Sequence, residues 1–127
     1  AAAPRGVLLV SIDTLRPDHL GCYGSTRRVS PEIDRLAAQG ALFETCVSAS
    51  SWTLPAHVSM LTGVSPSVHR VTADARRLGS ARLSAAEVLR REGVATGAIV
   101  THYYLSGDYG LDRRKERDLR LRGGIGR

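Results

Sequence analysis

A chain of 127 residues with 43% hydrophobic content holds one ordinary soluble domain, and no apolar run reaches the roughly 18 residues of a membrane span. Of its formal charge of +6, +5 is carried by positions 113–127, where seven basic residues meet two acidic ones, against eleven and ten in all the rest. With the body almost neutral and no aromatic residue in the basic run to stack on bases, a nucleic-acid partner is set aside.

Ala1–Gly6 has neither an initiator Met nor an apolar signal core. It reads equally as a signal remnant, a linker or a cut. Val7–Ile12 (VLLVSI) is a nearly continuous apolar run, the pattern of a strand buried on both faces of a parallel sheet. Ser30-Pro31-Glu32 is a helix start, with Ser at the cap, Pro first and an acid in the first turn. Ile33, Leu36 and Ala37 form the apolar face of that helix, and Gly40 is its stop. Ala41–Val47 (ALFETCV) reads as a second strand. Cys22 and Cys46 match no metal pattern, and two buried thiols are expected rather than a disulfide.

Thr53–Gly63 (TLPAHVSMLTG) reads as a turn entering a helix, with Pro55 near its start. A long Ser- and Arg-containing connection runs from Ser65 to Arg82. Ser84 and Glu87 have capping-box spacing, and their helix should stop at Gly93. Val94–Thr101 (VATGAIVT) is a third expected strand. This order is that of an α/β fold with a parallel sheet. After Asp112 the composition turns to Arg and Gly. Residues 113–127 form a basic tail, read either as a solvated, disordered end or as an out-of-frame translation.

Two positions stand out chemically. Asp13 directly follows the first expected strand, where parallel sheets bind ligands, and its carboxylate suits a cation. The alternative is a turn or cap aspartate. Thr53 lies where a loop enters a helix, whose first N–H groups favour anions. A hydroxyl there is a nucleophile toward phosphorus or sulfur if activated, or an ordinary capping threonine.

The segments VLLVSIDTLRPDHLGCYG, SPEIDRLAAQGALFETCVSAS and SWTLPAHVSMLTGVSPSVHRV resemble the opening of the sulfatase family. The likeness continues through LSAAEVLRREGVATGAIVT to about Asp112. It implies an α/β, parallel-sheet αβα sandwich of alkaline phosphatase type, of which residues 1–112 are the N-terminal part. The family signature is Cys or Ser, any residue, Pro, any residue, Arg, then a helix ending in Leu-Thr-Gly. Here it reads Thr53-Leu54-Pro55-Ala56-His57, then Leu61-Thr62-Gly63.

By that resemblance Asp13 and Thr53 are metal ligands, while Thr53 and His57 are catalytic. The implied cofactor is a divalent cation (Ca2+, Zn2+ or Mn2+), and the implied partner is a small-molecule sulfate or phosphate ester. Thr53 cannot become formylglycine, because its Cβ carries a methyl group. It resembles instead the threonine nucleophile of the superfamily's phosphodiesterases and phosphoethanolamine transferases. His57 stands at the signature arginine and would contact either the oxyanion or the nucleophile. Ile12 occupies a position where many members have a second metal-binding Asp. His102 is a further candidate ligand after the third expected strand. His69 reads as structural, and His19 as a loop histidine. A periplasmic or secreted location follows from the family alone. One carboxylate and one hydroxyl fall short of a usual ligand set, so these 127 residues by themselves are expected to bind metal poorly and to be inactive. The readings carried forward are an ester hydrolase, a phosphodiesterase or transferase, and an inactive or merely anion-binding remnant.

Overall fold

A computed structural model describes residues 6–73 and 75–111. The basic tail at 113–127 lies outside the described residues. The chain divides into two compact units, Ala1–Val47 and Ser48–Arg127.

In the first unit, two 3₁₀ turns, Pro17–His19 and Gly21–Tyr23, precede helix α1, Pro31–Gln39. Pro31 is at the first helical position and Gly40 ends the helix, as the sequence indicates. Ser30 occupies the cap position, but its hydroxyl does not serve the helix amides. It accepts from Gly21 N–H (3.0 Å) and donates to the Asp34 carboxylate (3.1 Å). Asp34 in turn accepts from Cys22 N–H at 2.8 Å. The result is a polar clasp between α1 and the Gly21–Tyr23 turn. A β-carbon at position 21 would collide with the Asp34 carboxylate, so the clasp requires glycine there. No apolar residue of this unit is buried among those described. The expected apolar face of α1 is uncovered, with Leu36 69% exposed.

The second unit holds the core. Helices α2 (Thr53–Thr62), α3 (Pro66–His69) and α4 (Ala85–Arg91) are followed by 3₁₀ turns at Tyr103–Leu105 and Gly107–Tyr109. Leu54, Val58, Val71, Leu78 and Tyr109 are buried together, with Trp52, Tyr104 and Leu111 packed against them. Leu54 and Val58 are four residues apart and so share one face of α2. That helix ends at Gly63, whose φ of 72° is left-handed and whose N–H reaches the Ser59 carbonyl at 2.8 Å. The Ser84–Glu87 capping box forms in both directions, at 3.3 and 2.8 Å. The connection from Ser65 to Arg82 is more than a loop, since it contains α3 and two core residues.

The expected strands are not formed. Among the described residues there is no strand, and Val7–Ile12, Ala41–Val47 and Val94–Thr101 run without ladder partners. Val7 is 84% exposed and Ile99 76%. The parallel-sheet sandwich is therefore not displayed by these residues. The physical reason is that a parallel strand bonds only to neighbours brought alongside by long crossovers, so an apolar run without a neighbour gains nothing from extending. The cysteines are free thiols as expected, but neither is buried: Cys22 is half-buried and Cys46 exposed. Burial and the neighbouring Asp34 carboxylate push the Cys22 thiol up from its ordinary pKa, so it stays protonated.

Candidate active site

Thr53 is the first residue of α2, and Trp52 occupies the cap position. Trp has no side-chain acceptor to satisfy helix amides. Pro55 contributes no N–H, and the first helical bond is made by Ala56 N–H to the Trp52 carbonyl at 3.2 Å. The residue-53 hydroxyl thus starts a helix that has no side-chain cap.

His57 follows one turn later and is buried. Its Nδ1 lies 2.8 Å from the Thr53 carbonyl oxygen. A carbonyl only accepts, so Nδ1 carries a proton. A neutral ring of this form accepts a proton at Nε2 and does not donate from it.

His69 is also buried, but its bonding runs the other way. Its Nδ1 accepts from Val71 N–H at 3.0 Å, so Nε2–H donates to Ser59 Oγ, also at 3.0 Å. A protonated Nε2 is no base toward Ser59. Burial holds the His69 pKa below the usual imidazole range, with the Pro55 carbonyl opposing and Arg82 adding to the effect. His69 therefore ties α3 to α2, which is the structural role read from the sequence.

The structure brings His102 toward α2 through an aromatic stack that the sequence reading missed. His102 Nδ1 accepts from Tyr104 N–H at 3.2 Å, and the two rings stack at 5.3 Å. Tyr104 meets Trp52 edge-on at 5.5 Å. Tyr109 packs edge-on against both Tyr103 and Tyr104 at 5.3 Å. A hydrogen bond to Tyr103, reinforced by burial, pushes the Tyr109 phenol up to about 12. The guanidinium of Arg76 lies over the Trp52 ring, 5.9 Å from its centre. The only advance signal was the run Tyr103-Tyr104 with Tyr109 shortly after.

Asp13 belongs to the other unit, half-buried in a turn rather than at a strand end. The next residue, Thr14, has a φ of 57°, an uncommon conformation for a β-branched side chain. His19 ends an exposed 3₁₀ turn. Among the described residues, no three His, Cys, Asp or Glu side chains gather as a metal cluster. A bound Ca2+ or Zn2+ takes four or more donors, so these residues do not by themselves fit the implied cation.

The sulfatase family model matches residues 5–115. The chain belongs to the sulfatase family. N-acetylgalactosamine-6-O-sulfatase of Bacteroides thetaiotaomicron is 32% identical over 98 residues, which are 73% of this chain and 19% of that protein. Human iduronate 2-sulfatase is 43% identical over 65 residues, 51% of this chain and 12% of that protein. Steryl-sulfatase of Mus musculus is 30% identical over 110 residues, 78% and 18% respectively. This sulfatase-family chain therefore spans less than a fifth of the length of these relatives. No solved structure matches it. No helix among the described residues is long and apolar enough to cross a membrane.

Proposed function

We propose that this sulfatase-family sequence serves the hydrolysis of sulfate or phosphate esters, with the Thr53 hydroxyl as nucleophile. The observation that carries the reading is the pairing of Thr53, first in α2, with His57 held by the Thr53 carbonyl in the Nδ1–H form. In the proposed reaction the Thr53 O–H proton passes to His57 Nε2, one turn along the helix. The Thr53 oxygen forms a bond to sulfur or phosphorus as the bond to the leaving oxygen breaks. The imidazolium returns its proton to the leaving oxygen. Water then cleaves the covalent ester and restores Thr53.

The family resemblance implies a divalent cation, to which Asp13 and Thr53 would contribute. Because the described donors do not complete a site, no step here runs through it.

The methyl group on Cβ of residue 53 favours a second reading within the same chemistry. A hydroxyl that cannot become an aldehyde hydrate suits a phosphodiesterase or a phosphoethanolamine-type transferase, which would pass the group to an acceptor alcohol. Aryl sulfate, aryl phosphate and phosphodiester substrates assayed side by side separate the readings.

The decisive variants are Thr53→Ala and His57→Gln. The first should abolish turnover. The second should lower kcat about 10²–10⁴-fold, the usual worth of a general base. Turnover near wild type in Thr53→Ala would remove the assignment. No turnover in the unsubstituted protein on any of the three substrates would favour an anion-binding or inactive remnant.

A further inference from the structure

Position 57 lacks the guanidinium that the family signature places one turn after the nucleophile. A guanidinium nonetheless stands beside α2, brought there from another segment. Arg76 Nε donates to the Ala73 carbonyl at 2.6 Å, which fixes the side chain at the edge of its own turn. That turn is closed by Thr72 N–H to the Ala75 carbonyl and by Ala75 N–H to the Thr72 hydroxyl, at 3.0 and 3.2 Å. From this anchor the charged group reaches over Trp52, the residue that precedes Thr53 at the cap position of α2. Among the described residues no carboxylate pairs with Arg76. The ion pairs there are Arg16–Asp18 and Arg35–Glu32, both in the other unit.

A planar cation fixed by one backbone bond and one aromatic face is preorganised. Its remaining N–H groups form a fork that matches two oxygens of a tetrahedral anion. Trp52 is also the residue from which α2 begins, where the positive end of the helix dipole lies.

We propose that Arg76 is the oxyanion-holding residue of the Thr53 site and supplies the guanidinium that position 57 lacks. This inference rests on Thr53 marking the site, and its substrate group is a sulfate or phosphate oxyanion.

Trp52 is the only tryptophan in the chain, so its fluorescence reports on the cation above it. The 127-residue chain is titrated with inorganic sulfate and inorganic phosphate at constant ionic strength, with chloride as reference. The expected result is a saturable change for the two tetrahedral anions and none for chloride. Arg76→Gln should weaken binding at least tenfold, and Arg76→Lys should restore part of it. Arg76 is exposed, and an unchanged far-ultraviolet spectrum verifies that both variants fold. Arg35→Gln, an exposed arginine of the other unit, should bind like the unsubstituted chain, which separates a site from general surface charge. If Arg76→Gln binds like the unsubstituted chain, or if that chain gives no saturable change, the proposal is overturned. If Thr53→Ala retains turnover while Arg76 governs binding, the nucleophile assignment fails and the anion site stands.

Discussion

Gly110 closes the core of the second unit, and replacing it with Ala isolates what that closure is worth. Its φ is 78°, and an added β-carbon would sit 2.7 Å from the Leu78 carbonyl oxygen. The left-handed conformation alone costs an L-residue about 1–2 kcal/mol. Relieving the overlap means moving the Leu78 backbone, whose N–H bonds the Tyr109 carbonyl at 3.0 Å. Losing that bond costs about 1 kcal/mol. The combined expectation is roughly 2–3 kcal/mol, a large part of the stability of a small domain. At about 4–8 °C per kcal/mol for a unit of this size, the unfolding midpoint should fall by roughly 10 °C or more. The assay is urea and thermal unfolding followed by Trp52 fluorescence, since Trp52 packs on the same core. Gly97→Ala is the control, because a β-carbon there meets nothing within 4 Å. If the two variants unfold within about 0.5 kcal/mol of each other, the range of an ordinary surface change, the closure argument is wrong.

Two further outcomes follow from the same unit. His69 resists protonation when folded, so the unfolded chain takes up a proton more readily. Stability should therefore be intact above the ordinary histidine pKa of 6.5 and fall as the pH drops through and below it. His69→Asn should flatten that slope in urea titrations between pH 7.5 and 5, ranges chosen on the order of one unit either side of it; an unchanged slope would assign the effect elsewhere. Ser84→Ala removes the hydroxyl that accepts from Glu87 N–H and should cost about 1 kcal/mol. Circular dichroism through the thermal transition checks it, and a neutral result would mean the box contributes no net stability.

What the sequence made legible was mostly local. The Pro31 helix start, the Gly63 stop and the Ser84–Glu87 box each depend on residues within one or two turns. Their chemistry is complete wherever the segment goes. The strands were a different matter. VLLVSI has the composition of a buried strand, but composition describes an environment that neighbours must provide. Val71 and Leu78 escaped notice because two apolar residues in an Arg- and Ser-rich stretch show no period. Thr53 at the head of a helix was readable from Pro55. Its neighbourhood was not, since Trp52, Arg76, His102 and Tyr104 meet only through tertiary packing. Asp13 was expected at a strand end and lies in a turn, because the run before it forms no strand among the described residues. The tautomers that separate His57 from His69 depend on single carbonyl and amide contacts, which no pattern of residue types encodes.

The uncovered runs also bear on how the chain behaves in company. Each presents backbone donors and acceptors together with apolar side chains, which is what a passing extended segment needs in order to add on. Addition within one molecule proceeds at a rate independent of concentration, whereas addition between molecules accelerates as copies accumulate. Dilution therefore favours whichever segment is tethered nearby, and crowding favours strangers. VLLVSI, ALFETCV and VATGAIVT place the outcome in the hands of timing, decided by which complementary strand arrives first.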